Sequence, residues 1–166
     1  MSAIADHLRL SAESCRRIDR ELVKFPPEQK RSAILAALTI AQDQAGWLPR
    51  ELIAEVAAYL GIAPIAAYEV ATFYTMYDLA PVGRSKITLC TNLPCALAGA
   101  TRAAAHLKQR LGIDFGETTA DGLFTLREGE CLGACGDAPV LLLNNKRMCS
   151  LMSDAKLDAL IDELRQ

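Results

Sequence analysis

Apolar residues in the first half of the chain recur at helical spacing, punctuated by serine and proline at the starts and glycine at the stops. Ser11 reads as the cap of a helix on which Cys15, Ile18 and Leu22 fall at i, i+3 and i+7. Pro26 and Pro27 start a second helix, with Ile34, Leu35, Leu38 and Ala41 on its inner face and a stop near Gly46. Pro49 opens a third, "PRELIAEVAAYLG", with Leu52, Ile53, Val56 and Leu60 inward and Gly61 as its end. Pro64 opens a fourth through "IAAYEVATFYTMY". Four short, closely joined amphipathic helices predict a small bundle.

Around "APVGRSK" the period changes. "SKITLC", residues 85–90, alternates as a strand does and delivers Cys90 at its C-terminal end. A helix follows over about Ala96–Leu111, closed by Gly112, and then a strand at about Leu123–Arg127. "VLLLNNKRMCSLM" predicts a hairpin turning at Asn144–Asn145, residues that tolerate positive φ. Ser153 caps a last helix whose buried stripe is Leu157, Leu160, Ile161 and Leu164. The order β-α-β-β-β-α suits a small sheet with helices packed on it. The pattern therefore predicts an α+β chain: a helical bundle over residues 1–82 and an α/β domain over 83–166.

Half of the 166 residues are hydrophobic (51%), enough for a proper core, and the net charge of −2 lacks the basic excess of a nucleic-acid footprint. The most apolar run, "SAILAALTIAQ", is too short to cross a bilayer. "MSAIADHLRLSAESCRR" has no compact apolar segment followed by a cleavage site, so the expected compartment is cytoplasmic. In that reducing setting six cysteines point to metal or redox chemistry rather than disulfides. Four of them form two pairs, Cys90/Cys95 and Cys131/Cys135, while Cys15 and Cys149 stand alone.

The pairs read C-x4-C and C-x3-C, with 35 residues between them. Each pair can bring both sulfurs to one centre from a single loop. Structural zinc favours C-x2-C knuckles, and thioredoxin-type dithiol exchange needs C-x-x-C. The longer spacings suit a 2Fe–2S rhomb with two thiolates at each iron, which is the favoured reading; zinc, and disulfides or free thiols, stay open. Gly133, Ala134 and Gly136 allow close backbone approach and amide donation to sulfur, while Pro94 and Pro139 stiffen the loops. Glu128, Glu130 and Asp137 flank the second pair and should disfavour the added negative charge of reduction.

"CTNLPC" and "ECLGACGDAP", preceded by "QAGWLP" and "EVATFYTMYDLAPVGR", closely resemble the 24-kDa-subunit family of bacterial NADH:quinone oxidoreductases, from about residue 15 to the end. The resemblance implies a helical bundle followed by a thioredoxin-like domain holding one 2Fe–2S cluster through Cys90, Cys95, Cys131 and Cys135. It implies a one-electron transfer subunit rather than a catalytic one, beside a partner subunit that binds FMN and NADH, with further iron–sulfur subunits of the same peripheral arm. No nucleic acid and no direct membrane insertion are expected, and the chain would sit on the cytoplasmic face of the inner membrane through the assembled complex. Equivalent modules occur in NAD-dependent formate dehydrogenases and NAD-linked hydrogenases. A free-standing thioredoxin-like ferredoxin is a further alternative, against which the helical first half argues. No G-x-G-x-x-G follows a strand, so the isolated chain is not expected to oxidise NADH.

The remaining chemistry-bearing residues have plainer readings. Cys15 and Cys149 lie on apolar patterns and read as core thiols. His7 and His106 are isolated from each other and from the cysteine loops, which excludes Rieske-type ligation. Phe73 and Trp47 read as core packing, Tyr74 and Tyr77 as candidate partner contacts, and Gly83–Arg84 as a simple join.

Overall fold

Ser11 starts the first helix with its side chain: its Oγ accepts the Ser14 N–H at 3.0 Å, and α1 runs Ala12–Leu22. The computed structural model describes residues 9–166, so His7 lies outside the described residues. The chain divides into two compact units, one through Pro81 and one from Val82.

In the first unit Pro27 opens a 3₁₀ turn, Pro27–Ala33, rather than the α-helix expected there; Gln29 has left helical geometry (φ −110°, ψ 38°). Helix α2 then spans Ile34–Ala45, α3 Arg50–Leu60 and α4 Pro64–Phe73. Gly46 and Gly61 stop α2 and α3 in the left-handed region. Helix α4 ends earlier than its sequence pattern implies, at Phe73, and the chain turns through 74–77 instead. Ile18, Leu38, Leu52, Ile53, Val56 and Leu60 fill the core between the helices. Each such fully buried side chain contributes about 1.5–3 kcal/mol of transfer free energy. Two glutamines on α2 tie the neighbouring chain to it. Gln44 accepts from the Ser14 hydroxyl at 2.7 Å and from the Ser11 N–H at 2.9 Å; Gln42 donates to the Met76 carbonyl at 3.0 Å and accepts the Asp78 N–H at 2.7 Å.

The second unit is a four-stranded mixed sheet in the order β2-β1-β3-β4, with β1 Ser85–Cys90, β2 Phe124–Gly129, β3 Leu141–Leu143 and β4 Arg147–Cys149. Strands β1 and β2 are parallel, with Cys90 opposite Gly129; the other pairings are antiparallel. The single helix expected over 96–111 is two. Helix α5, Leu93–Leu97, and α6, Ala100–Leu111, are separated by Gly99 at φ 102°. Only glycine adopts that angle freely, and the surrounding run of alanines hides the break from any periodicity. Asn144 and Asn145 turn the β3–β4 hairpin at φ 49° and 56°, as their sequence predicts.

Helix α7, Asp154–Arg165, is capped by Ser153 and packs beside α6 through a polar ladder. Arg102 faces Asp154 at 3.4 Å, His106 faces Asp158 at 3.0 Å, and Arg110 reaches both Asp158 and Asp162 at 3.1 Å. Ile87, Leu89, Leu107, Phe124, Leu126, Leu141, Leu157 and Ile161 form the core of this unit. Gly83, read from sequence as a simple join, is a close-packed position: a Cβ there would lie 2.8 Å from the Phe124 backbone, and its N–H donates to Thr125 Oγ1 at 2.6 Å. The neighbouring Arg84 guanidinium donates to the Leu164 carbonyl.

Candidate metal centre

Parallel pairing sends the C-terminal ends of β1 and β2 out of the same edge of the sheet, and both cysteine loops start there. Cys90 closes β1, and its N–H donates to the Val140 carbonyl at 3.1 Å. Asn92 then caps α5: its Oδ1 accepts the Leu93 N–H at 3.0 Å, Pro94 occupies the first turn, and that turn presents Cys95. From β2 the chain passes Glu130 into the loop that carries Cys131 and Cys135, the latter opening a short 3₁₀ turn, Cys135–Asp137.

The two pairs differ in exposure. Cys90 and Cys95 are 1% exposed and sit in a small apolar cluster with Ala100 and Val140. Leu132, Ala134 and Ala138 from the second loop pack onto the same cluster, so the loop closes over the buried pair. Cys131 and Cys135 face outward, with their sulfurs 3.5 Å apart. The spacing of the cysteines along the chain carries no trace of this inequality.

Electrostatics ties the thiols to one another across the loops. Burial pushes the Cys95 thiol up, helped by its hydrogen bond with Cys90 and by charge on Cys90 and Cys135. The Gly133 N–H, donating to Cys131 Sγ at 3.4 Å, lowers the Cys131 pKa, and a hydrogen bond from Cys135 adds to that. Cys135 is raised as the donor in that bond, and also by charge on Cys131 and Cys90. The packing of the second loop onto the cluster that holds Cys90 and Cys95 brings all four cysteines singled out in the sequence into one neighbourhood. Among the described residues no three Cys, His, Asp or Glu side chains close on a single ion position. Two thiol pairs, one buried and one exposed, without histidine or hard oxygen ligands and with an amide already directed at one sulfur, match the donor chemistry of a thiolate-bound 2Fe–2S cluster.

With that geometry in hand, the comparisons with known proteins converge. The family profile described as Thioredoxin-like [2Fe-2S] ferredoxin matches residues 18–165. The chain belongs to this family. Among relatives of this thioredoxin-like ferredoxin, an NADH-quinone oxidoreductase subunit of Rickettsia bellii is 49% identical over 143 residues, covering 86% of this chain and 85% of that protein. An NADH-quinone oxidoreductase subunit of Thermus thermophilus is 38% identical over 148 residues, covering 89% of this chain and 82% of the other. Among solved structures, an NAD+-reducing [NiFe]-hydrogenase in its H2-reduced state superposes with a TM-score of 0.69 at 26% identity, over 80% of this chain. The ferredoxin spans only 22% of that hydrogenase chain.

The other sequence candidates lie elsewhere. Cys15 is half-buried on α1, and Cys149 packs at the margin of the sheet core. His106 is engaged with Asp158 in the α6–α7 ladder. Three aromatic readings are corrected. Phe73 is 78% exposed, standing edge-on to Tyr74, because α4 ends there and its ring lies beyond the buried face of the helix. Tyr77 is buried, its hydroxyl donating to the Leu35 carbonyl at 2.8 Å, which burial and hydrogen bonding require of each other. Trp47 is half-buried, and its neighbour Leu48 occupies the core position instead.

Proposed function

We propose that this chain is the 2Fe–2S electron-transfer component of an NADH:quinone oxidoreductase, with Cys90, Cys95, Cys131 and Cys135 as the cluster ligands. The observation that carries the reading is the meeting of two thiol pairs at one sheet edge, in a chain belonging to the thioredoxin-like ferredoxins. When bound, a 2Fe–2S cluster takes up and returns one electron and does no bond chemistry on a substrate. The residues divide the work. Cys90 and Cys95, inside an apolar wall that keeps water away, and Cys131 and Cys135, facing solvent, would together hold the cluster. The Gly133 amide favours negative charge on the Cys131 sulfur, while Leu132 and Ala134 anchor the loop between the two outer ligands.

On this reading FMN and NADH belong to a partner subunit, further iron–sulfur subunits continue the path, and the isolated chain does not oxidise NADH. None of its described helices is long and apolar enough to cross a membrane. On the same reading it sits at the membrane's cytoplasmic face only through the assembled complex. The likeness to the NAD+-reducing hydrogenase favours a second reading, the equivalent module of such an enzyme. Anaerobic purification from the native cell with bound partners, EPR after reduction, and partner identification by mass separate the two. A reduced 2Fe–2S signal with a flavin-binding partner and quinone-enzyme subunits supports the first reading, and hydrogen-activating partners support the second. A colourless protein without that signal overturns both.

A further inference from the structure

The sheet ladder ends just before the cysteine loops begin. Its last backbone link is the Thr91 N–H donating to the Gly129 carbonyl at 3.0 Å. Beyond it, two side-chain bonds continue the pairing outward. Thr91 Oγ1 donates to Glu128 Oε1 at 2.8 Å, and Asn92 Nδ2 donates to Glu130 Oε2 at 3.1 Å. Asn92 is used at both ends, since its Oδ1 accepts the Leu93 N–H that starts the Cys95 turn. The amide does both with separate atoms, its oxygen accepting at the helix start and its nitrogen donating across to the other loop. One residue thereby couples the turn that presents Cys95 to the residue directly before Cys131. Both carboxylates accept from neutral donors rather than from a lysine or arginine, so their charge stays uncompensated by these bonds.

We propose that Thr91, Asn92, Glu128 and Glu130 form a clasp that fixes the separation of the two cysteine loops, and that its two carboxylates hold the reduction potential of the site down. The four are positioning residues, acting on the ligands through the backbone that carries them, and the proposal rests on the assignment of the four thiols to a 2Fe–2S cluster. Reduction adds one negative charge, which the two carboxylates, on the strand end and on the residue before Cys131, oppose.

Four conservative variants separate positioning from charge. Thr91→Val deletes one donor and Asn92→Ser withdraws the other, neither adding charge, and serine keeps a helix-capping acceptor. Glu128→Gln and Glu130→Gln keep an acceptor and delete the charge. The clasp predicts that the donor deletions speed cluster loss to a chelator, followed by visible absorbance, about threefold to tenfold, the worth of one hydrogen bond. It also predicts faster amide exchange over residues 130–136 in the cluster-free chain. The carboxamide variants should keep the cluster near the wild-type rate and shift its midpoint to more positive values in an EPR-monitored potentiometric titration. Wild-type exchange and wild-type cluster loss in both donor deletions would overturn the clasp, and an unmoved midpoint in both carboxamide variants would overturn its electrostatic half. A wild-type chain that takes up no cluster defeats the functional assignment instead, while the exchange measurement still decides the clasp.

Discussion

At the scale of single residues, close approach governs the cysteine edge. Gly129 lies opposite Cys90 in the parallel pair, and a Cβ at that position would stand 2.7 Å from Thr88 Cγ2. Gly129→Ala is therefore expected to destabilise the chain by about 1–3 kcal/mol, the usual cost of overpacking. Denaturant unfolding measures it, and Thr88→Ser, which removes the offending methyl, should restore most of the loss in the double variant. If the double variant is no more stable than Gly129→Ala alone, the clash is not the cause. Cysteines give a second residue-scale test. Cys15→Ser and Cys149→Ser should leave visible absorption and EPR as in the wild type, whereas Cys90→Ser, at a buried thiol proposed as a ligand, should abolish stable cluster binding. Loss of the signal in Cys149→Ser would move that thiol into the site. The ligand candidates were legible because their spacing is unusual. Their unequal burial was not, since it arises from Leu132, Ala134 and Ala138 folding over one pair only.

At the scale of elements, starts and stops were legible wherever one residue carries the physics. Ser11 and Ser153 cap by their own hydroxyls, and Gly46, Gly61 and Gly112 end their helices in left-handed geometry. What escaped depends on partners distant in sequence. The parallel β1–β2 pairing, the Gln42 and Gln44 tethers and the clasp bonds spanning 37 and 38 residues leave no local periodicity. The α1–α3 contact is of the same kind. Tyr59 on α3 donates to Asp19 on α1 at 2.7 Å, and this bond, with burial, pushes the Tyr59 hydroxyl up to about 12. A raised folded pKa means that the stabilisation is fully present below the unfolded tyrosine value, about 10, and is lost as pH climbs through 12. The stability gap between wild type and Tyr59→Phe should accordingly be constant from pH 6 to 9 and close above about pH 10. A gap that is unchanged at pH 11.5 would remove Tyr59 ionisation from the linkage.

At the scale of the whole molecule, the bundle and the sheet unit each carry a core of their own. The buried residues of the first run from Ile18 to Tyr77, and those of the second begin at Ile87. All four thiols, the clasp and the closing residues Leu132 and Ala134 belong to the unit from Val82 onward. Under the proposed function, electron storage needs only that unit, and the bundle would serve to hold the chain in its complex. Its exposed aromatic corner, Phe73 with Tyr74 edge-on at 5.1 Å, supplies surface for such a contact. A fragment beginning at Val82, so that the Gly83 N–H keeps its bond to Thr125, is predicted to fold, take up one cluster and give the EPR signal of the full chain after reduction. The same fragment should recover the flavin-binding partner from cell extract at least about tenfold less well, the equivalent of roughly 1.4 kcal/mol of lost contact. Phe73→Ser in the full chain should weaken recovery in the same direction while leaving the cluster untouched. An unfolded fragment would make the bundle part of the cluster unit, and full recovery of the partner by the fragment would take docking away from the bundle altogether.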